Sequence, residues 1–389
     1  MKCCKTLILI ITGAFACLPV ISFAEMTWTC ACSTAAWNTR AYHSSVIFDD
    51  ELWVIGGWDG NITIFNDVWN SADGIDWACA CSSAQWPARV WHSSVVMGNQ
   101  IWLMGGGYDN YQVYNDVWYS SDGTDWNFAT NAPWIPRWCH SSVVFNNKIW
   151  VLGGAYGWPP TYMNDVWSST DGYNWICETT SADWQARRRH SSVVFDNKIW
   201  VMGGNITGPG ITTNDVWYSD DGINWECATP AAQWSARGYR TSVVSDNKIW
   251  VMGGWNNGVS YNDVWYSTDG VNWTCACSTA QWSARCDHTS EVKDDKIWVM
   301  GGDQYPLPFV NDVWYSTGLG IEEQPIVKQM GQHENLAATI FRGPIQLPEG
   351  KKCKVFDITG RIVEPTTITR GIYFIEIENK IVHKVIKVR

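Results

Sequence analysis

Five of the seven histidines in this chain recur at one place. His43, His92, His140, His190 and His288 each end an Arg-x-x-His string, and Arg240 stands at the sixth such place. Imidazoles are good metal ligands, but a shared ion needs its nitrogens at ~2 Å. Equivalent points on six separate units lie too far apart for that, so the recurrence reads as structural. Cys30/Cys32, Cys79/Cys81 and Cys275/Cys277 lie two apart, which on a strand puts each pair on one face. Such pairs could ligate a metal. Elsewhere, however, the first place holds Phe128, Cys177 or Cys227, and the second Thr130, Thr179 or Thr229. The first cysteine therefore reads as a small buried hydrophobe, and no metal or other cofactor is expected. Arg188, Arg189, Arg240, Asp287 and Asp303 are charged residues that do not recur, and they are the candidate acids, bases and anchors for a ligand.

The frame that holds them is an internal repeat. Gly-Gly doublets begin at Gly56, Gly105, Gly153, Gly203, Gly253 and Gly301, at spacings of 49, 48, 50, 50 and 48. Each ends an apolar run such as Lys198-Ile199-Trp200-Val201-Met202, and each run follows another such as His190-Ser191-Ser192-Val193-Val194-Phe195. A short polar turn, Asp196-Asn197 or a variant, joins the two as a hairpin. A variable loop comes next, then Asn-Asp-Val-Trp, and in five repeats a second tight turn of the form Asp221-Gly222-Ile223-Asn224-Trp225. Each unit is thus a four-stranded antiparallel sheet. The apolar runs barely alternate, so both faces of each sheet need covering, which neighbouring sheets in a closed circle would supply. The fold expected is all-β, a six-bladed propeller. Its sixth repeat lacks the last strand. Trp28-Thr29-Cys30-Ala31-Cys32, ahead of the first repeat, matches Trp77-Ala78-Cys79-Ala80-Cys81 and is expected to complete blade six, removing a free edge.

Tryptophan separates scaffold from candidate site. Of 29, four recur in every unit, which leaves Trp58, Trp91, Trp138, Trp158 and Trp255. All five fall in second-to-third-strand loops or in connections between units, which antiparallel order puts on one face. Tyr42, Tyr108, Tyr111, Tyr156, Tyr162, Tyr239 and Tyr305 join them there. A rigid scaffold with variable aromatic loops on one side is how binding sites are commonly built. The opposite face carries short, near-identical polar turns.

The ends read differently. Lys2 and Lys5 precede an apolar run from Leu7 to Phe23, and Ser22-Phe23-Ala24 suits cleavage after Ala24, so residues 1–24 read as a secretory signal peptide. Cleavage would leave eleven of the 14 cysteines, an odd number, in an exported chain. Residues 25–317 carry 14 Lys and Arg against 30 Asp and Glu, a net of −16, within a chain of 389 residues and net charge −11. That balance disfavours nucleic acid and other polyanions. No stretch beyond residue 24 is apolar and long enough for a transmembrane segment. Residues 318–338 read as a linker, and residues 339–389 as a small β domain, sandwich-like, with strands in 354–363, 371–377 and 381–388.

The doublet after an apolar strand, the Arg-x-x-His before the first strand and the Trp about 20 residues past the doublet resemble the kelch motif, over residues 25–317. Kelch propellers include enzymes such as galactose oxidase and sialic acid mutarotase and many pure binding modules, so the fold leaves function open. A galactose oxidase-like reading would need copper held by His and Tyr and a Tyr–Cys crosslink. Cys139, Cys286, Tyr42 and Tyr239 lie on the right face, but no spacing brings them together. The Ser-x-Asp-Gly-x-x-Trp turns look like sialidase Asp-boxes but are one residue short between Asp and Trp, so they read as a similar hairpin and not as a sialidase signature. The closing segments FDITGRIV, GIYFIEI and KVIKVR resemble the sorting domain of type IX secretion substrates, which implies secretion machinery as a partner and release or attachment at the cell surface. Together these features suggest an exported, non-catalytic module binding a glycan or extracellular protein through the aromatic loop face. The rival is a carbohydrate-active enzyme using the same face.

Overall fold

The computed structural model describes residues 26–108, 112–207 and 211–317, then the strands Ala338–Phe341, Cys353–Asp357, Gly371–Ile377 and Lys380–Lys387, with Val363. The chain divides into two compact units, Met1–Glu322 and Glu323–Arg389. No α-helix occurs among the described residues.

The first unit is a six-bladed propeller. From the axis outward, blade one is Ser44–Phe48, Glu51–Trp58, Ile64–Ser71 and Ala78–Cys81, every pair antiparallel. Blades two to five repeat that order from Ser93, Ser141, Ser191 and Thr241. In blade six, Thr289–Lys293, Lys296–Gly302 and Val310–Thr317 are joined by Thr27–Cys32, with Thr27 opposite Thr317 and Cys30 opposite Trp314. Thr27–Cys32, the first strand among the described residues, therefore closes the circle, as its likeness to residues 77–81 predicts. Each hairpin nearest the axis turns through two left-handed residues, Asp196 (φ 48°) and Asn197 (φ 55°) in blade four, the twist that suits right-handed strands.

Recurring residues bind blade to blade. Trp37, Trp86, Trp134, Trp184, Trp234 and Trp282 are each buried and meet edge-to-face the tryptophan opening the outermost strand of the next blade, at 5.8–6.1 Å in all six pairs. Trp282 thus grips Trp28 of the closing strand. Each Arg of Arg-x-x-His holds the Asp of Asn-Asp-Val-Trp by two bonds, as Arg40 holds Asp67 at 2.7 and 2.9 Å, and also donates to a doublet carbonyl, Gly56 O at 2.9 Å. That Asp takes a third bond from the indole two residues on, Trp69 at 2.8 Å. Fully satisfied, the buried pair is stable; broken, it strands a charge. The doublets allow this approach: a Cβ on Gly57 would come within 2.8 Å of His43 Cβ, at a φ of 103°.

The outermost strands correct one expectation. Cys79, Cys227 and Cys275 are exposed and Cys30 and Cys177 half-buried, because the blade rim has no further sheet to cover it. No cluster of three potential metal ligands occurs among the described residues.

In the second unit, Lys380–Lys387 pairs parallel with Ala338–Phe341 and antiparallel with Gly371–Ile377, which pairs with Cys353–Asp357. These four form one sheet; the sandwich-like packing expected from the sequence, the leader and the linker lie outside the described residues.

Candidate functional site

Where each between-blade connection reaches the axis, one residue precedes the recurring His. These six are Tyr42, Trp91, Cys139, Arg189, Tyr239 and Asp287, all in the left-handed region with φ between 51° and 61°. Each N–H donates to the carbonyl of its counterpart one blade back: Trp91 to Tyr42 (3.1 Å), Cys139 to Trp91 (3.0 Å), Arg189 to Cys139 (2.9 Å), Tyr239 to Arg189 (3.1 Å) and Asp287 to Tyr239 (3.0 Å). Tyr42 donates to Asp287 at 3.2 Å and closes the ring. Left-handed backbone favours glycine, and a larger side chain there costs of order 1–3 kcal/mol. Six large or reactive side chains are nevertheless kept, no two neighbours alike.

They line a cavity of about 170 Å³ on the axis, floored by His43, His92, His140, His190, His288 and Arg240. The histidines are structural, as their recurrence suggests. Each Nε2 bonds a hydroxyl of the preceding blade: His92 to Ser44 (2.9 Å), His140 to Ser93 (2.8 Å), His190 to Ser141 (2.8 Å), His288 to Thr241 (3.1 Å) and His43 to Thr289 (3.1 Å). Burial, with the neighbouring arginine of the motif adding to it, holds His92, His140 and His288 down to about 3, so they stay neutral.

Aromatic rings continue outward as a belt. Trp255 meets Tyr239 at 5.6 Å, and the Arg189 guanidinium lies 3.7 Å from the Tyr239 centroid. Trp138 meets Trp91 at 5.0 Å, Trp91 meets Tyr42 at 5.3 Å, and Tyr42 stacks on Trp58 at 6.1 Å, with Phe309 against both. Backbone bridges Ala41–Trp58, Trp138–Ala155, Gly238–Trp255 and Cys286–Asp303 tie connection to loop on this one face.

Charge concentrates beside blade six. Burial pushes the Asp287 carboxyl up to about 7; Arg189 opposes this and Asp303 adds to it. Asp287 Oδ2 has no partner. Burial and Asp287 raise the Tyr42 hydroxyl, burial raises Asp303, and burial with Asp287 raises the Cys286 thiol.

Of the residues the sequence singles out, Tyr42, Trp91, Arg189, Tyr239, Arg240 and Asp287 line the cavity, while Trp58 and Trp255 lie half-buried in the belt. Arg188 sits over Trp138 (4.5 Å) and Tyr162 (5.0 Å), and Asp303 is half-buried beside Cys286. Trp138 is a correction: at 1% exposure it offers no surface to a ligand, because Trp91 and Arg188 cover it. Trp158 and Tyr108 are exposed loop residues and Tyr156 is the exposed end of the strand Lys148–Tyr156, all outside the cavity lining, and Tyr111 lies outside the described residues. Phe309 is absent from the sequence-derived candidates, and Cys139 enters them only through the galactose oxidase-like reading. Cys139 was legible as the residue before the recurring His; Phe309, in a loop without repeat register, carried no signal.

Comparisons agree with this architecture. Residues 124–302 match the KLHDC2/KLHL20/DRC7 Kelch-repeats domain, and residues 39–70 the Kelch motif. A solved structure, that of YjhT, is 15% identical with a TM-score of 0.61, over 73% of this chain and 96% of that one. No curated protein matches the sequence. At that identity the likeness speaks for fold alone. Residues 27–317 are a six-bladed β-propeller of kelch repeats.

Proposed function

We propose that the propeller is a binding module whose axial mouth takes a glycan, with Tyr42, Trp91 and Tyr239 stacking on the apolar faces of sugar rings. The observation that carries this is the ring itself: six non-glycine side chains held left-handed around one cavity, at a backbone cost that recognition would justify. Arg189 and Asp287 supply hydrogen bonds for hydroxyls, and the belt from Trp58 to Trp255 extends the apolar surface. Affinity electrophoresis of the purified chain through gels containing neutral polysaccharides tests it. Retardation by one of them, lost in Trp58→Ala/Trp255→Ala, is expected. No retardation by any would refute glycan binding and leave an extracellular protein as the partner.

One observation favours the enzyme reading. A carboxyl titrating near 7 can give and take a proton at neutral pH, as sugar ring opening requires, and Asp287 is such a group. Anomer exchange of free sugars, followed by NMR, should then be accelerated by the protein and slowed in Asp287→Asn. An unaccelerated rate removes this reading.

Export is part of the same proposal. The leader-like residues 1–24 and the sorting-like segments after residue 354 support delivery to the cell surface or medium. Deleting residues 340–389 should hold the protein in the periplasm; normal delivery without them would refute the sorting role.

A further inference from the structure

Each blade leaves a large apolar side chain in water in the segment that joins its second strand to its third. In blade order these are Ile62, Tyr108, Trp158, Ile211, Val259 and Leu307, between 46% and 90% exposed. One exposed apolar residue is ordinary; one on every blade, all on the same face, is a pattern. The segments differ in length and share no register, so the propeller itself does not dictate an apolar residue there. Four of the six are aliphatic and offer no ring for a sugar to stack on, so a glycan at the mouth does not account for them. They also stand on six separate segments, whereas a protein partner buries one continuous patch. A fluid apolar phase takes such side chains one by one, and the Trp and Tyr among them suit the boundary between headgroup and acyl chain.

Charge is arranged to match. The turns of the opposite face hold fourteen aspartates, and all five lysines of residues 25–317 lie at strand ends beside them. Ile75, Tyr173, Ile223 and Val271 are exposed on that face too. Each of them donates its N–H to the aspartate two residues back, at 2.8–2.9 Å, and so stands beside a carboxylate. The other face differs. Beyond the aspartates held by arginine, its described loops and connections have Asp59, Asp183, Asp287 and Asp303 against Arg188, Arg189 and Arg240. One face is thus nearly neutral and the other strongly acidic, and only the first can approach the edge of a hydrocarbon phase cheaply.

We propose that the loop face docks on a zwitterionic lipid surface, one apolar side chain per blade entering the headgroup boundary and the acidic face turned away. None of the six lines the axial cavity, so docking goes beyond the glycan reading and can fail independently of it. The test is flotation of the exported chain with phosphatidylcholine vesicles in a density gradient. The chain is expected to rise with the vesicles, and raised salt should not release it, since the inserted side chains carry no charge. Ile62→Ser/Leu307→Ser should raise the lipid needed for half-binding about tenfold or more. Ile75→Ser/Ile223→Ser, made on the acidic face, should bind as the native chain does. All four positions are exposed, so both variants should melt within about 2 °C of the native chain. Binding undiminished in Ile62→Ser/Leu307→Ser, or lost equally in Ile75→Ser/Ile223→Ser, would overturn the proposal. Binding abolished by salt would be adsorption of charge and would overturn it too. No flotation at any lipid concentration would overturn it and leave the six residues as contacts for a protein.

Discussion

Replacing Glu291 by valine should stabilise the propeller, and by more at high pH than at low. Glu291 stands where the other blades have Val46, Val95, Val143, Val193 and Val243, half-buried between the innermost strands of blades six and one. Its one hydrogen-bond partner is the Ser45 hydroxyl at 2.7 Å. Burial holds its carboxyl at about 7 against an ordinary 4.5, and Ser45 offsets only part of that. Since the folded-state value is raised, the folded chain binds the extra proton. The group's favourable contribution is complete below about 4.5 and is lost as pH rises through about 7. At ~1.4 kcal/mol per pH unit, the ionised carboxylate costs about 3 kcal/mol above pH 8, and about 2.5 kcal/mol of that appears between pH 5 and 8. Urea unfolding followed by tryptophan fluorescence reads the propeller alone, because all 29 tryptophans lie between residues 28 and 314. The ring histidines shift stability the other way, losing it as pH falls below about 6.5. Taking the difference between Glu291→Val and the native chain cancels them. That difference should grow by about 2.5 kcal/mol from pH 5 to pH 8. A difference that does not change with pH, or a variant less stable at pH 8, would refute the reasoning.

Other consequences can be checked with the same equipment. Asp67→Asn leaves Arg40 buried without its charge partner and should cost about 3–5 kcal/mol in urea unfolding; a loss under 1 kcal/mol would mean the pair is dispensable. Removing residues 25–34 takes away the outermost strand of blade six together with Trp28 and should lower the melting temperature of the whole propeller. An unchanged melting temperature contradicts closure by that strand. Iodoacetamide on the native protein at pH 9 should label Cys79 and Cys227 well before Cys139 and Cys286, by peptide mass. Burial raises all four thiols, so labelling at pH 7 should be slower throughout. Early labelling of Cys139 would place it outside the cavity wall.

Much of the scaffold was legible because it repeats. The Gly-Gly doublets, the Asn-Asp-Val-Trp strands and the match of residues 28–32 to 77–81 specify six sheets and their closure without any tertiary information. The same logic marks Tyr42, Trp91, Arg189, Tyr239 and Asp287 as departures from the repeat. What it misses is depth. Trp138 does not recur either, yet it packs under Trp91 and Arg188, and nothing in one-dimensional order separates the exposed ring from the covered one. The rim cysteines failed for the converse reason. Cys79 and Cys227 recur, which suggests a buried role, whereas the outermost strand of a blade has one face open. Glu291 could have been found by aligning the repeats, as the one carboxylate in a column of valines.

The central claim is that ligand is held at the axial mouth by the ring from Tyr42 to Asp287. The most direct test is a crystal structure of the chain with an oligosaccharide cut from a polysaccharide that retards it. The account predicts sugar density over the cavity, with a pyranose face on Tyr42, Trp91 or Tyr239 and a polar contact to Arg189 or Asp287. Sugar bound on the rim or on the opposite face, with the mouth empty, would contradict it.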